Sequence, residues 1–150
     1  MREMRLDQFD IAILDALRRD GAATNAQLAD VVGLSASQCS RRRSRLENDG
    51  IITGYQAKVD MAALGRDLRA ITRVSLTSHT GEKAKDFARF IANSPEIESA
   101  FSVSGDADYV LVIATENLAA FSVFVHERLL PAPNVTQVRS EIVLQTLKDS

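Results

Sequence analysis

Gly33-Leu34-Ser35 leaves only a three-residue turn between two helix-forming segments, and that spacing restricts the N-terminal half more than any other feature. Thr24 with Gln27, and Ser35 with Gln38, have capping-box spacing, in which the cap and the residue three positions on satisfy each other's backbone amides. Asp7 with Asp10 repeats the pattern earlier, with Leu6 and Ile11 placed as a staple around the cap. Leu6, Ile13, Leu14 and Leu17 supply an apolar stripe behind the first cap. Ala26, Leu28, Ala29 and Val32 continue a second, short helix that Gly33 ends. The third helix is expected over Ala36–Asn48, with Leu34 and Cys39 as its staple pair and Gly50 taking the positive φ beyond it. Two short helices joined so tightly make a helix-turn-helix. Ile51-Ile52-Thr53-Gly54-Tyr55 is a β-prone stretch suited to a small wing.

From residue 68 the hydrophobic period changes to two. Leu68, Ala70, Thr72, Val74 and Leu76 share one face of a candidate strand. Ala84, Phe87, Ala88 and Ile91 then follow a helical period over 82–93, and Pro95 stops it. Ile97, Ser99, Phe101 and Val103 alternate as a second strand, and 107–114 form a third. Asn117 can cap a helix carrying Leu118, Phe121, Phe124, Val125 and Leu129, which Pro131 and Pro133 end. Val135 to Leu144 supplies a fourth strand. The expected fold is therefore α+β: an N-terminal winged helix-turn-helix (1–54), a linker strand and hinge (55–67), and a ferredoxin-like βαββαβ domain (68–150). Two helices cover only one face of such a sheet. The other still displays Val, Ile and Phe, so self-association about a two-fold axis is expected.

Charge and composition narrow the function. The net charge is −2, and residues 1–65 hold nine basic and nine acidic side chains, so neither a polycation nor an acidic tail is present. One cysteine excludes an internal disulfide and a multi-cysteine zinc site. No apolar run approaches the ~20 residues of a membrane helix, and the N-terminus lacks a signal peptide's apolar stretch, so a cytoplasmic protein with no membrane partner is expected. His79 reads as a solvated loop residue and His126 as a structural or interfacial one. Neither completes a triad with a nearby Ser and Asp. No phosphate-binding glycine loop or HExxH motif is present. No catalytic residues, metal ligands or cofactor are expected.

The focused charge is Arg41, Arg42, Arg43 and Arg45, four positive side chains in five residues. On the third helix Cys39, Arg43 and Leu46 approach one face, which points Arg43 at the core. Ser37, Ser40, Arg41 and Ser44 lie towards the other side, where small hydroxyls and arginine can enter a major groove. Arg42 and Arg45 suit phosphate contact or local ion pairing. Ser35 and Gln38 sit at the capped N-terminus, which offers partial positive charge to a phosphate. The bland alternative is a solvated basic patch; placement on the second helix of a helix-turn-helix favours double-stranded DNA.

Ser102-Val103-Ser104-Gly105-Asp106-Ala107-Asp108-Tyr109 is the second candidate. As chemistry alone it reads either as a solvated hairpin turn, with Asp106 bonding its own backbone, or as a small-ligand pocket in which Asp106 or Asp108 meets an ammonium.

The pattern resembles the Lrp/AsnC family, the feast/famine regulatory proteins. It does so through Leu6-Asp7 with Asp10, Ile13, Leu14 and Leu17, Leu28-Ala29 to Ser35, Cys39-Ser40-Arg41-Arg42, Arg45-Leu46-Glu47, Gly50-Ile51-Ile52 and Gly54-Tyr55. The later half matches in Val103 to Tyr109, Leu130-Pro131 and Ser140-Glu141-Ile142-Val143-Leu144. The resemblance covers about residues 5–148. It implies a winged-helix DNA-binding domain followed by a regulatory domain that dimerises through its sheet, with dimers assembling to tetramers or octamers. It also implies a small effector, an amino acid, bound beside the Gly-Asp-x-Asp turn. On that basis Gly105, Asp106 and Asp108 become effector positions, with Ser104, Ala107 and Ser140 as additions. The chain departs from the family where Arg43 replaces an apolar residue, Ala107 a larger one and Met61 a proline.

The function these features imply is a sequence-specific, nucleoid-associated transcriptional regulator whose assembly or operator affinity responds to that effector. Two alternatives share parts of the same evidence: an architectural DNA organiser without effector input, and a small-molecule sensor or enzyme lacking DNA binding.

Overall fold

The computed structural model describes residues 5–78 and 81–148. The chain divides after Val59 into two compact units, the second running Asp60–Leu147.

The first unit holds α1 (Gln8–Arg19), α2 (Asn25–Val32) and α3 (Ala36–Asn48). Asp7, Thr24 and Ser35 cap them, and each forms the reciprocal capping box its spacing predicts. Gly33 ends α2 at φ 73°, in the left-handed region where a side chain would be strained. Ile13, Leu17, Leu28, Cys39 and Leu46 are buried together, and Leu34 packs on them as the α3 staple requires. The α1 staple pair behaves differently, with Leu6 and Ile11 left 37% and 50% exposed.

The expected wing and linker strands do not form as ladders: among the described residues no strand lies between α3 and residue 68. Two physical reasons are visible. The amides of Ile51 and Ile52 both donate to the Leu46 carbonyl, at 2.9 and 3.0 Å, closing the end of α3 rather than pairing with a neighbour. Residues 61–65 then turn back, with Arg66 N–H donating to Met61 O at 2.9 Å.

The second unit runs β1 (Leu68–Leu76), α4 (Glu82–Ala92), β2 (Ile97–Ser102), β3 (Tyr109–Thr115), α5 (Leu118–Val123) and β4 (Val135–Ile142). The sheet order β2-β3-β1-β4, antiparallel throughout, is the ferredoxin-like arrangement. Ala70, Val74, Leu111 and Ile113 meet Phe87, Phe121, Phe124 and Leu129 in its core. β3 begins two residues later than expected, and just before it the Asp108 carboxylate accepts the Leu76 amide at 2.7 Å. The helix from Asn117 widens into a π-helical turn over Phe124–Leu129, which sequence periodicity did not predict. Phe124 and Leu129 are both buried although five residues apart, a spacing that an i→i+5 turn brings towards one side.

Strand alternation fixes the other sheet face. Ile71, Arg73 and Ser75 on β1 point away from the helices, as do Val110 and Val112 on β3. Phe101, opposite Val110, is 56% exposed there. Arg73 lies directly opposite both Val110 on β3 and Arg139 on β4.

Candidate DNA interface and ligand cleft

The capping of α1 and the charge of α3 meet at one carboxylate. Asp10, only 1% exposed, accepts the Asp7 amide to complete the capping box. It also takes Arg42 at 2.8 Å and forms an ion pair with Arg45. Arg42 bridges on to Asp7 at 2.7 Å, and its guanidinium lies 5.4 Å over the Phe9 ring. The amide of Asp10, and then the bond from Arg42, hold the Asp7 carboxyl below the usual carboxylate range. Asp7 and then Asp10 raise the Arg42 pKa in return. Of the two roles open to Arg42 and Arg45, local ion pairing is the one they adopt.

Arg41 differs. It is exposed, and among the described residues it has no ion pair or side-chain hydrogen bond. Ser37 and Ser44 are exposed beside it, Ser40 half-buried. Ser35 and Gln38 are committed to the cap, the Ser35 amide donating to Gln38 Oε1 at 2.9 Å. Gln38, Arg41, Arg42 and Arg45 line a shallow cleft of about 270 Å³.

Arg43 is half-buried without disturbing the core, because its long stem carries the charge to the rim. The guanidinium donates to Ala23 O at 2.9 Å and to the Tyr55 hydroxyl at 2.8 Å. It sits 4.8 Å over the Tyr55 ring, and Tyr55 donates to Glu47 at 2.7 Å. The cluster ties α3 to the α1–α2 turn and to the segment that follows α3. Burial, and then the bond to Glu47, push the Tyr55 hydroxyl pKa up. Burial does the same to the Cys39 thiol, which fits a core residue rather than a nucleophile.

In the second unit, Gly105 has φ 136°, outside the range ordinary side chains adopt. The turn it allows forms one wall of a cleft of about 420 Å³, to which Ser104, Gly105, Asp106 and Ala107 all contribute. Val103 and Val110 add apolar surface, and Arg73, Ser75, Gln137 and Arg139 line it from the open sheet face. Two expected effector positions are not among its lining. Asp108 is turned to the Leu76 amide. Ser140 lies opposite Thr72 on the helix-covered side, their hydroxyls 2.9 Å apart. Its neighbours in sequence, Arg139 and Glu141, point the other way. The four residues on the sheet floor were missed by sequence reasoning, although alternation against Thr72, Val74 and Leu76 carried the signal for Arg73 and Ser75.

His126 bonds the Ser122 carbonyl at 2.9 Å on its own helix, and His79 lies outside the described residues. Among the described residues no group of three His, Cys, Asp or Glu could hold a metal. Among the described residues no helix is long and apolar enough to cross a membrane.

A helix-turn-helix with an arginine-bearing second helix, joined to a βαββαβ unit with a polar cleft, defines the class of ligand-responsive DNA-binding regulators. Known proteins agree. A winged helix-turn-helix DNA-binding family matches residues 6–53, and the Lrp/AsnC ligand binding domain matches residues 69–150. The leucine-responsive regulatory protein of Rhizobium meliloti is 41% identical over 147 residues, 98% of this chain and 94% of the relative. The Bkd operon transcriptional regulator of Pseudomonas aeruginosa is 36% identical over 142 residues, covering 95% and 93% of the two chains. A Neisseria meningitidis transcriptional regulator, solved in complex with L-Met, superposes with a TM-score of 0.92 at 36% identity, covering 97% of this chain and 94% of that one. The chain belongs to the Lrp/AsnC family of feast/famine transcriptional regulators. It is a DNA-binding transcription factor with a ligand-binding domain, not an enzyme.

Proposed function

We propose that α3 enters the major groove of double-stranded DNA, with Arg41, Ser37 and Ser44 facing base edges or phosphates and Ser40 at the margin. The observation that carries this reading is Arg41, an exposed guanidinium with no ion pair among the described residues, on the second helix of a helix-turn-helix. Arg42 and Arg45 serve mainly to lock α3 to α1. Ser35 and Gln38 hold the N-terminus of α3 in shape, leaving its unpaired amides to meet a phosphate.

The regulatory unit pairs with a second copy through the open sheet face. Ile71, Phe101 and Val112, beside the cleft, supply the apolar part of that surface, which a solitary small domain would leave wet. A two-fold dimer presents two α3 helices and suits a symmetric operator. Dimers assemble further to tetramers or octamers on the nucleoid. The effector is an amino acid, by analogy with the L-Met complex of the Neisseria meningitidis regulator. It occupies the cleft beside Gly105 and Asp106, and occupancy shifts dimer spacing or assembly and so operator affinity.

Fluorescence anisotropy tests this on a duplex from the region upstream of the protein's own gene, at fixed salt with excess nonspecific competitor and a panel of amino acids. Competitor-resistant binding that one class of amino acid shifts is the expected result. Loss of all sequence preference, on this and a second upstream duplex, would replace specific regulation by architectural binding.

A further inference from the structure

We infer that the cleft beside Gly105 takes an amino acid bearing a second carboxylate, held by Arg73 and Arg139. The inference rests on reading this cleft as the effector site. It starts from the register: Arg73 and Arg139 are directly opposed across the β1–β4 ladder, and both line the same cavity. Like charges so placed destabilise a sheet, in a chain whose net charge is −2.

Little within the chain relieves that repulsion. Glu141 stands 3.8 Å from Arg73, with the two side chains 58% and 47% exposed, a geometry in which ion pairs are weak. Arg139 has no ion pair among the described residues. In the other unit Arg42 and Arg45 share the buried Asp10 and Arg42 also takes Asp7, so two carboxylates answer two guanidiniums.

Charge balance then selects the ligand. Asp106 is the acidic residue lining the cleft, against the two guanidiniums, so the lining residues carry a net +1, with Glu141 outside that lining and only weakly held to Arg73. A neutral amino acid leaves that charge unanswered. An amino acid with a second carboxylate carries −1 and closes the balance, its carboxylates on the arginines and its ammonium on Asp106. A 2-oxo diacid overshoots and has no ammonium to offer. Ser75, Ser104 and Gln137 supply further polar groups, while Val103, Ala107 and Val110 offer only a small apolar wall. The volume, about 420 Å³, lies within the range of small-molecule sites.

Isothermal titration calorimetry of the full-length protein with L-glutamate, L-aspartate, L-leucine, L-lysine and 2-oxoglutarate tests this. Expected is binding of L-glutamate or L-aspartate at least about tenfold tighter than of the other three, the scale of one charge-assisted bond. Arg139→Gln abolishes that preference and, because it relieves the opposed charges, leaves the thermal midpoint no lower than the parent's. Asp106→Asn equalises the acidic amino acid and the oxo acid, separating the ammonium contact from the carboxylate contacts. Tightest binding of leucine or lysine would overturn the acidic class while leaving the effector reading intact. Binding of none of these ligands, by protein that still binds DNA, would overturn both. Dissociation of the unliganded dimer by Arg139→Gln in sedimentation velocity would also overturn the inference, because the arginines would then serve protomer pairing.

Discussion

The two units each carry an arginine-lined cleft and treat the charge in opposite ways. In the helical unit Arg42 and Arg45 converge on Asp10, itself 1% exposed, so two of the charges lining that cleft are compensated from within. In the sheet unit Arg73 and Arg139 face each other, and among the described residues their one ion pair is an exposed, 3.8 Å contact of Arg73 with Glu141. The first arrangement holds a fold together and projects one further arginine, Arg41. The second leaves positive charge to be answered from outside. Arginine density along the sequence is therefore a poor guide to available charge, since the densest cluster is the more heavily neutralised.

The difference can be broken at its strongest point first. Asp10→Ala removes the shared buried carboxylate of Arg42 and Arg45 together with its bond to the Asp7 amide, and should destabilise the helical unit by about 2–3 kcal/mol. Glu141→Ala in the sheet unit should cost within about 0.5 kcal/mol. Urea unfolding followed by circular dichroism checks both, and equal costs would erase the contrast. Next comes Arg41→Ala, which should weaken specific DNA binding by about 1–2 kcal/mol. If Arg41 meets a phosphate, the slope of log affinity against log salt should also fall by about 1, with the thermal midpoint unchanged.

Smaller effects sharpen the helical side. Tyr55→Phe removes the hydroxyl shared by Arg43 and Glu47 and should cost about 1 kcal/mol in the same unfolding experiment. The acid response of Asp7 is a matter of sign. Its folded pKa is lowered from 3.8, so its contribution is complete above that value and is lost as pH falls through the lower, folded one. Asp7→Asn keeps a competent cap, because asparagine also accepts the first-turn amides. The variant should show a shallower loss of stability on acidification below about pH 4. An unchanged acid limb would remove Asp7 from the network.

Local chemistry was legible in the sequence and register-dependent chemistry was not. All three capping boxes and the α2–α3 turn follow from residues within four positions of one another. The face of β1 that meets the core follows from alternation. The fate of Arg42 and Arg45 depends on a carboxylate 32 and 35 residues away, which nothing in their own neighbourhood announces. Ser140 entered the effector site through the family resemblance, yet a strand sends adjacent residues to opposite faces, and register put Arg139 rather than Ser140 in the cleft. Asp108 belongs to the turn in sequence but is held by the Leu76 amide. The winged helix-turn-helix was legible and the family match over residues 6–53 agrees, but β propensity at 51–55 cannot supply a partner strand, and no ladder forms there among the described residues.

The most direct measurement compares Arg41→Ala and Arg42→Ala by anisotropy on the operator duplex, each at a temperature where it is fully folded. If Arg41 is the exposed DNA contact and Arg42 the internal tie, Arg41→Ala loses about tenfold in affinity and Arg42→Ala, once folded, loses clearly less. The reverse order, with Arg42→Ala the weaker binder and Arg41→Ala indistinguishable from the parent, would contradict the division of labour along α3.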